Sequence, residues 1–259
     1  MTRQMTRRFR PGVVFSIPVQ YKSARDAGGR AAGAVERSGQ PMIDYAIARR
    51  NMVESQIRPN KVTDPLLLAA FLEIPREQFL PKARRGVAYV DEDIEVGEGR
   101  HLMEPMVLAR LLQVAEAKPT DIALDIGCAT GYSTAILARL CDTVVAVESS
   151  RRLAAEATAV LSRLGIDNVA VIEGPLDKGY PKQAPYDVVL FSGAVAQVPD
   201  AILEQLGEGG RLVCVVDDGS RVRKGTIMTR LGGVISGRPV FDAATPLLPG
   251  FDRKLGFVF

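Results

Sequence analysis

The chain has 259 residues, of which 47% are hydrophobic and 24% are charged. These values are typical of a globular domain and exclude a collagen-like or wholly disordered chain. Its apolar runs fall short of the roughly 18 residues that a membrane-spanning helix needs, so we expect no membrane partner. Three cysteines without a CxxC pair and a single histidine predict neither a metal site nor a disulfide framework, and they favour a cytoplasmic location.

The net charge of +3 is unevenly distributed along the chain. Residues 1–41 hold eight of the 33 basic residues and two of the 30 acidic ones, so the remainder carries a net charge of −3. This leader lacks helical or strand periodicity and is predicted to be a disordered segment, or sequence upstream of a start at Met42. A targeting peptide and an arm for nucleic acid or membrane are the alternatives. The acidic remainder predicts no binding of nucleic acid.

Residues 42–112 are predicted to form a helical region that acts as a substrate lid. Its apolar residues recur at helical spacing, and Asp64 before Pro65 is typical of a helix start. Helices are predicted over 42–57, Leu66–Ile74 and Pro105–Ala115, with a loop over Asp91–Gly99.

Strands and helices alternate through residues 113–259. The strands are near-continuous runs of Val, Ile and Leu, which is typical of a parallel sheet covered on both faces. We therefore predict an α/β fold: a doubly wound, mostly parallel, seven-stranded Rossmann-like sheet with an antiparallel C-terminal edge. Strands are predicted over Asp121–Ile126, Thr143–Glu148, Asn168–Glu173, Tyr186–Ser192, Gly210–Val216, Lys224–Leu231, Arg238–Ala243 and Lys254–Phe259, and helices over Tyr132–Leu140, Arg151–Leu164 and Asp200–Leu206.

A glycine-containing turn, Gly127–Gly131, leaves the first predicted strand and opens a helix. Its small residues let a ligand approach the backbone, and the helix start offers free N–H groups. A dinucleotide fingerprint requires a small residue at the sixth position from Gly127, where this sequence has Tyr132. Asp125 places a carboxylate beside the turn, which suits a ligand with a cationic amino-acid moiety and would repel a pyrophosphate.

Glu148 ends the second predicted strand, 17 residues after Gly131. An acid at this strand end can accept both hydroxyls of a ribose. Together with Asp125 and the turn, it predicts a binding site for S-adenosylmethionine. The candidate cofactor-binding residues are Asp125, Gly127, Cys128, Ala129, Thr130, Gly131, Glu148, Ser149 and Gly174.

Several stretches outside the turn carry a resemblance to a known family. They are Met52–Ile57, Ile74–Pro81, Ala88–Asp91, Tyr186–Val189 and Leu203–Val213. With the glycine turn, they make residues 42–259 resemble the protein-L-isoaspartate O-methyltransferases, a family of class I methyltransferases. The resemblance implies a methyltransferase sheet, S-adenosylmethionine as cofactor, and methyl transfer to a carboxylate of a protein or peptide.

The segment Gly99–Pro105 departs from that family at the lip of the substrate pocket. The family has Gly-Gln-Thr-Ile-Ser-Gln-Pro there, and its Ser is usually assigned a catalytic role, whereas this chain has Gly-Arg-His-Leu-Met-Glu-Pro. The candidate catalytic residues are therefore Met103, at the position of the Ser, and His101, as a base or donor. Arg100, as the partner of a carboxylate, and Tyr89 are the candidate substrate contacts. The alternatives are an exposed histidine, a surface arginine and a packing tyrosine.

A second departure follows the third strand of the sheet. The family's Gly-Asp-Gly reads Gly174-Pro175-Leu176 here, so the acid near the adenine is missing unless Glu173 or Asp177 substitutes. These departures leave open a methyltransferase with a small-molecule acceptor, a non-catalytic module that binds S-adenosylmethionine, and an oxidoreductase. The predicted partner is a protein, peptide or small-molecule methyl acceptor, and the predicted state is a monomer or homodimer.

Overall fold

A computed structural model describes residues 44–252 of the chain. The leader at 1–41 and the strand predicted at Lys254–Phe259 lie outside these residues, as do the first two residues of the predicted helix 42–57. None of the helices within 44–252 is both long and apolar enough to cross a bilayer.

The predicted helices of the N-terminal region are present. The Asp44 carboxylate caps the first one, and it continues beyond Met52 as a π-helical turn. The Asp64 carboxylate accepts the backbone N–H groups of Leu66 and Leu67, as expected for the N-cap of a helix with Pro65 in its first turn. The helices are α1 (Tyr45–Met52), α2 (Pro65–Glu73) and α3 (Pro105–Ala115), with short 3₁₀ turns at Arg76–Phe79 and Lys82–Val87.

The loop prediction for Asp91–Gly99 is wrong, because a hairpin forms there. Strand β1 (Ile94–Gly97) pairs antiparallel with β2 (Arg100–Leu102). The two turn residues have φ of +54° and +69°, the left-handed values that suit a two-residue hairpin. In β1 the buried Ile94 and Val96 flank the exposed Glu95, and this alternation of apolar and polar residues is the sequence signal that identifies the strand.

Seven strands form the main sheet of the described residues, as predicted. The order is β5-β4-β3-β6-β7-β8-β9, parallel from β5 to β7 and antiparallel at β8 and β9. The strands are β3 (Ile122–Ile126), β4 (Thr143–Glu148), β5 (Val169–Glu173), β6 (Tyr186–Val195), β7 (Leu206–Val216), β8 (Arg223–Leu231) and β9 (Val234–Ala243). The helices between them are α4 (Tyr132–Leu140), α5 (Arg151–Arg163) and α6 (Asp200–Leu203).

Several element boundaries differ from the prediction, and β6 runs to Val195, three residues past the predicted Ser192. Helix α6 ends three residues before the predicted Leu206, where β7 already begins. Leu206 pairs with Tyr186, but Val188 next pairs with Arg211, so the intervening glycines form a bulge and not a turn between elements. Strand β9 begins at Val234 and not at the predicted Arg238, because Gly232 and Gly233 form the tight turn of the β8–β9 hairpin.

The chain reverses its direction of sheet building at β3, which lies between β4 and β6. In open parallel sheets, a crevice for ligands forms at the carboxyl ends of strands on either side of such a reversal. The ends of β3, β4 and β6 therefore meet at one edge of the sheet, and the glycine turn follows directly from β3.

Candidate active site

The glycine turn adopts a conformation that the sequence anticipates. Gly127, Ala129 and Gly131 have φ of +79°, +50° and +94°. Two main-chain hydrogen bonds of 2.8 Å hold the turn. The N–H of Gly127 donates to the carbonyl of Val147, and the N–H of Gly131 donates to the carbonyl of Cys128. Left-handed backbone of this kind favours glycine, so the small residues serve the shape of the turn.

Glu148 is fully buried at the end of β4. Its Oε2 accepts the backbone N–H of Ala129 at 2.8 Å, and its Oε1 accepts the backbone N–H of Ser150 at 3.0 Å and the Ser149 hydroxyl at 3.3 Å. These bonds connect the carboxylate to the glycine turn and to the start of α5. Glu148 is thus fixed where the sequence predicts an acceptor for a ribose.

Asp125 is also fully buried, one residue before the end of β3. Its Oδ2 accepts the hydroxyls of Ser133 and Thr134, and its Oδ1 accepts the hydroxyl of Ser192, each at 2.7 Å. Burial raises the pKa of Asp125, while the three hydroxyl bonds act in the opposite direction. A carboxylate has about four acceptor positions, so one remains on Oδ1 for an ammonium group or a water.

Arg100 occupies the space above the glycine turn. The residue is 2% exposed, and its Nη2 lies 2.9 Å from Oε2 of Glu148. An ideal Cβ at Gly127 would overlap with the same nitrogen, so the guanidinium packs directly on the backbone of the turn. The interpretation of Arg100 as a surface arginine is therefore wrong, and its side chain lies on the side predicted for the cofactor.

Met103 and His101 lie together at the lip, as the segment Gly99–Pro105 is called here. Met103 is 5% exposed, and both residues, together with Ser192, line two small cavities of about 10 Å³ each. Cavities of this size have room for about one water molecule. Because Ser192 also donates to Asp125, the structure brings the predicted catalytic position close to the carboxylate at the end of β3.

Tyr89 belongs to the packing of the N-terminal helices. Its hydroxyl donates to Oε2 of Glu77 and accepts from Nε of Arg49 at 3.0 Å. Burial raises the pKa of Tyr89, and the bond to Glu77 adds to the effect. These partners account for the tyrosine without a substrate, as in the alternative that treats it as a packing residue.

The remaining predicted cofactor residues occupy the same edge of the sheet. Burial raises the pKa of Cys128 well above its usual value, and Asp125 and Glu148 raise it further, so the thiol stays neutral. Thr130 uses its hydroxyl to bond the carbonyl of Phe79 at 2.7 Å, and the N–H of Gly174 donates to the carbonyl of Glu148 at 3.0 Å.

Two residues of this chain are candidates for the acid that the family carries after the strand called β5 here. Glu173 is exposed and lies beside Glu148 in the register of β4 and β5. Asp177 is exposed, lies 3.6 Å from Nζ of Lys178, and lines a cavity of about 500 Å³. Between the two, Asp177 is the one beside a space large enough for a ring system.

Five residues of this site are missing from the sequence prediction. Ser133, Thr134 and Ser192 bond Asp125, and Ser192 was detectable because it ends a strand predicted to lie in the same parallel sheet. Arg76 is buried and donates to the lip, but an arginine between a proline and a glutamate carries no signal of burial. Leu248 packs over Gly127 because its backbone bonds Ala194, and no local pattern indicates this contact.

The residues at this edge fit S-adenosylmethionine. The position of Glu148 suits the ribose hydroxyls, the free position on Asp125 suits the ammonium group, and the missing Cβ of Gly127 allows close approach. The guanidinium of Arg100 does not belong to such an arrangement, because it bonds the same carboxylate of Glu148.

Comparison with known proteins agrees with this chemistry. The sequence model of the family described as protein-L-isoaspartate(D-aspartate) O-methyltransferase matches residues 48–236. The chain is 39% identical over 168 residues to the protein-L-isoaspartate O-methyltransferase of Methanoculleus marisnigri, covering 65% of this chain and 76% of the relative. It is 36% identical over 186 residues to enzyme 1 of the same name from Rhodopseudomonas palustris, covering 72% of this chain and 76% of the relative.

Solved structures give the same result for the fold. A protein-L-isoaspartate O-methyltransferase superposes with a TM-score of 0.68 and 28% identity, covering 78% of this chain and 66% of the other. A Plasmodium falciparum protein, described as a putative member and crystallised with S-adenosyl-L-homocysteine, superposes with a TM-score of 0.66 and 19% identity, covering 80% of this chain and 99% of the other. The latter supports the fold alone.

These matches favour the methyltransferase interpretation over the non-catalytic module, the small-molecule acceptor and the oxidoreductase. The cofactor is S-adenosylmethionine, as the glycine turn and its two carboxylates predict. The chain belongs to the protein-L-isoaspartate O-methyltransferase family and is an S-adenosylmethionine-dependent O-methyltransferase that methylates a carboxylate of a protein or peptide.

Proposed function

We propose that the acceptor is the free α-carboxylate of an isoaspartyl residue in a protein or peptide, bound at the lip. The observation that carries this proposal is that Met103, at the position of the family's Ser, is buried and lines a cavity together with Ser192 and with Cys128 of the glycine turn. When bound, S-adenosylmethionine supplies an electrophilic methyl group. The described residues at the lip therefore need to hold an acceptor oxygen in line with that group and to exclude water.

The chemistry does not require a base from the lip. A carboxylate has a pKa near 4 and is already an anion at neutral pH. Alignment of two reactants can account for roughly 7–11 kcal/mol of a barrier, and a rigid lip contributes to this alignment. Loss of the Ser hydroxyl at Met103 removes a hydrogen bond worth on the order of 1–3 kcal/mol if the acceptor group stays unpaired. We therefore expect slow but measurable methyl transfer.

The roles of the individual residues form part of this proposal. Glu148 accepts the ribose hydroxyls, Asp125 accepts the ammonium group, and the glycine turn Gly127–Gly131 contacts the cofactor through main-chain atoms. Met103 and His101 contact the acceptor. Ser149 and Gly174 are assigned to the outer wall of the cofactor site, which is supported by their bonds to Glu148.

We also propose that residues 42–112 work as a lid on the domain at 113–259. Two contacts between the regions support this division: the Arg76 guanidinium lies 4.8 Å from the centroid of the Tyr132 ring, and Thr130 donates to the carbonyl of Phe79 at 2.7 Å. Both connect the N-terminal region to the site. A cytoplasmic location and a monomeric or homodimeric state complete the proposal, and the three free, buried cysteines are consistent with a reducing compartment.

The test is methyl transfer from radiolabelled S-adenosylmethionine to an isoaspartyl peptide. The matched control is the same peptide with a normal aspartate, because it differs only in the position of the backbone bond. We expect base-labile label on the isoaspartyl peptide alone. Equal label on the two peptides, or none on either, would contradict the proposed acceptor.

The variant Met103→Ser tests the lip itself. It restores a hydroxyl at the position where the family has one, so the rate with the isoaspartyl peptide should rise by about tenfold, the equivalent of ~1.4 kcal/mol. The matched control is Met106→Ser, a methionine three residues away in α3 that does not line the lip cavities. A rise in both variants, or in neither, would argue against an acceptor held at Met103.

A further inference from the structure

The buried ion pair between Arg100 and Glu148 is incompletely satisfied. The two side chains are 2% and 0% exposed, and Nη2 donates to Oε2 over 2.9 Å. The other two nitrogens of the guanidinium, Nε and Nη1, are buried and have no hydrogen-bond partner among the described residues. A buried cation with unpaired donors is energetically costly, so this arrangement is one that a better partner can replace.

The oxygen that Arg100 uses is already shared. Oε2 of Glu148 also accepts the N–H of Ala129, and Oε1 accepts the N–H of Ser150 and the hydroxyl of Ser149. A carboxylate has about four acceptor positions, and these four donors fill them. A ribose hydroxyl therefore finds no free acceptor position on Glu148 while the guanidinium stays in place, and departure of the guanidinium frees one.

Space leads to the same conclusion as hydrogen bonding. The guanidinium would overlap with a Cβ at Gly127, and Cδ2 of Leu248 lies 3.1 Å from that Cβ position, so the two side chains cover the part of the turn that a ligand approaches. The neighbouring cavities at the lip hold about 10 Å³ each. A nucleoside is far larger than that, and it enters only if the Arg100 side chain leaves.

We propose that Arg100 competes with the ribose of S-adenosylmethionine for Glu148, and that cofactor binding requires the guanidinium to leave the glycine turn. Arg100 is thereby a determinant of cofactor affinity that stands three residues before Met103 in the same lip. This inference rests on the proposed role of Glu148, and the experiment below distinguishes the failure of one from the failure of the other.

The test is calorimetric titration of the full chain with S-adenosylhomocysteine, comparing wild type with Arg100→Gln. Gln is the residue that the family has at this position and is uncharged. The dissociation constant should fall by about tenfold or more, the equivalent of ~1.4 kcal/mol, because Glu148 no longer has to exchange a cation for the ribose. In the absence of ligand, the variant should unfold at a lower urea concentration than wild type, because Glu148 loses its buried counter-ion.

Three further variants isolate the effect. Arg152→Gln removes the same charge from an exposed side chain that pairs with Glu98 and Glu156, and its dissociation constant should stay within about twofold of wild type. Adding Glu148→Gln to the Arg100→Gln variant should abolish the gain in affinity, as expected for residues that act on each other. Arg100→Met, which keeps the aliphatic part of the side chain, gives the same test if the Gln variant does not fold.

The outcomes are distinct. Unchanged or weaker binding by both Arg100 variants, with measurable binding by wild type, would overturn the competition while leaving the cofactor site in place. An absence of binding in wild type and in both Arg100 variants would overturn the cofactor site and the competition together. An equal gain in affinity in Arg152→Gln would show that the effect comes from the loss of a positive charge at long range, and it would also overturn the proposal.

Discussion

Arg76 donates a hydrogen bond of 2.8 Å from Nη2 to the main-chain carbonyl of Met103, and no part of the arginine reaches the solvent. Its Nε donates to the carbonyl of Ala88, also over 2.8 Å, and its guanidinium lies 4.8 Å from the centroid of the Tyr132 ring. One buried cation thus connects the N-terminal region, the lip and the helix that follows the glycine turn.

The Arg76→Gln variant should destabilise the protein by about 3 kcal/mol, because two carbonyls lose charge-assisted hydrogen bonds inside the protein. Urea unfolding measures this loss. The matched control is Arg84→Gln. The Arg84 side chain is half exposed and pairs with Glu95 of the β1–β2 hairpin, so this substitution should change the stability by no more than about 0.5 kcal/mol. Similar losses in the two variants would show that Arg76 does not hold the lip.

Gly127→Ala should lower both the stability and the affinity for S-adenosylhomocysteine. The left-handed φ of +79° costs a non-glycine residue about 1–2 kcal/mol, and the new Cβ would also overlap with Arg100. Gly165→Ala is the matched control, because Gly165 has φ of +67° and open space around its Cβ position. The control should show the backbone cost alone and bind the ligand normally. If the two variants behave alike, close contact at Gly127 has no role.

Glu148→Gln should weaken the binding of S-adenosylhomocysteine by at least about tenfold, since an amide offers one acceptor oxygen in place of two. Glu173→Gln provides the matched control: Glu173 lies beside Glu148 in the register of the neighbouring strand but is exposed. Its affinity should equal that of wild type in the same calorimetric titration. A larger loss in Glu173→Gln would mean that this residue, and not Glu148, serves the nucleoside.

The pH dependence of stability should carry a contribution from Glu104. Burial, followed by the nearby Asp91, Asp93 and Glu92, raises its pKa to about 7 from an ordinary 4.5. Between these values the folded state holds a proton that the unfolded state has released, so the stability falls as the pH rises through this window.

The Glu104→Gln variant removes the carboxyl group whose deprotonation destabilises the folded state. The variant should match wild type near pH 4.5 and be more stable above pH 7, by on the order of 1 kcal/mol after screening by solvent. Urea unfolding at a series of pH values measures the difference. A constant offset for Glu104→Gln across the pH range would contradict the titration.

Local pattern was sufficient for most of the fold. The parallel strands are runs of Val, Ile and Leu bounded by helices, and their order along the chain leaves few topologies, so the seven-stranded sheet was predictable. The predicted element boundaries were wrong where strand pairing between distant residues overrides the local preference for helix or turn. Leu206 joins β7 because it pairs with Tyr186, and neither residue indicates this partner by itself.

The amino-acid sequence alone determined the glycine turn, Asp125 and Glu148, because their spacing follows from one strand, one turn and the next strand. Only the tertiary structure decided what those carboxylates contact. Arginine is a residue type that usually lies at the surface, yet the two-residue turn of its hairpin directs the Arg100 side chain to Glu148, 48 positions away in the sequence. A long cation finds its partner by the geometry of packing, and such contacts between distant segments carry no period or motif that a sequence displays.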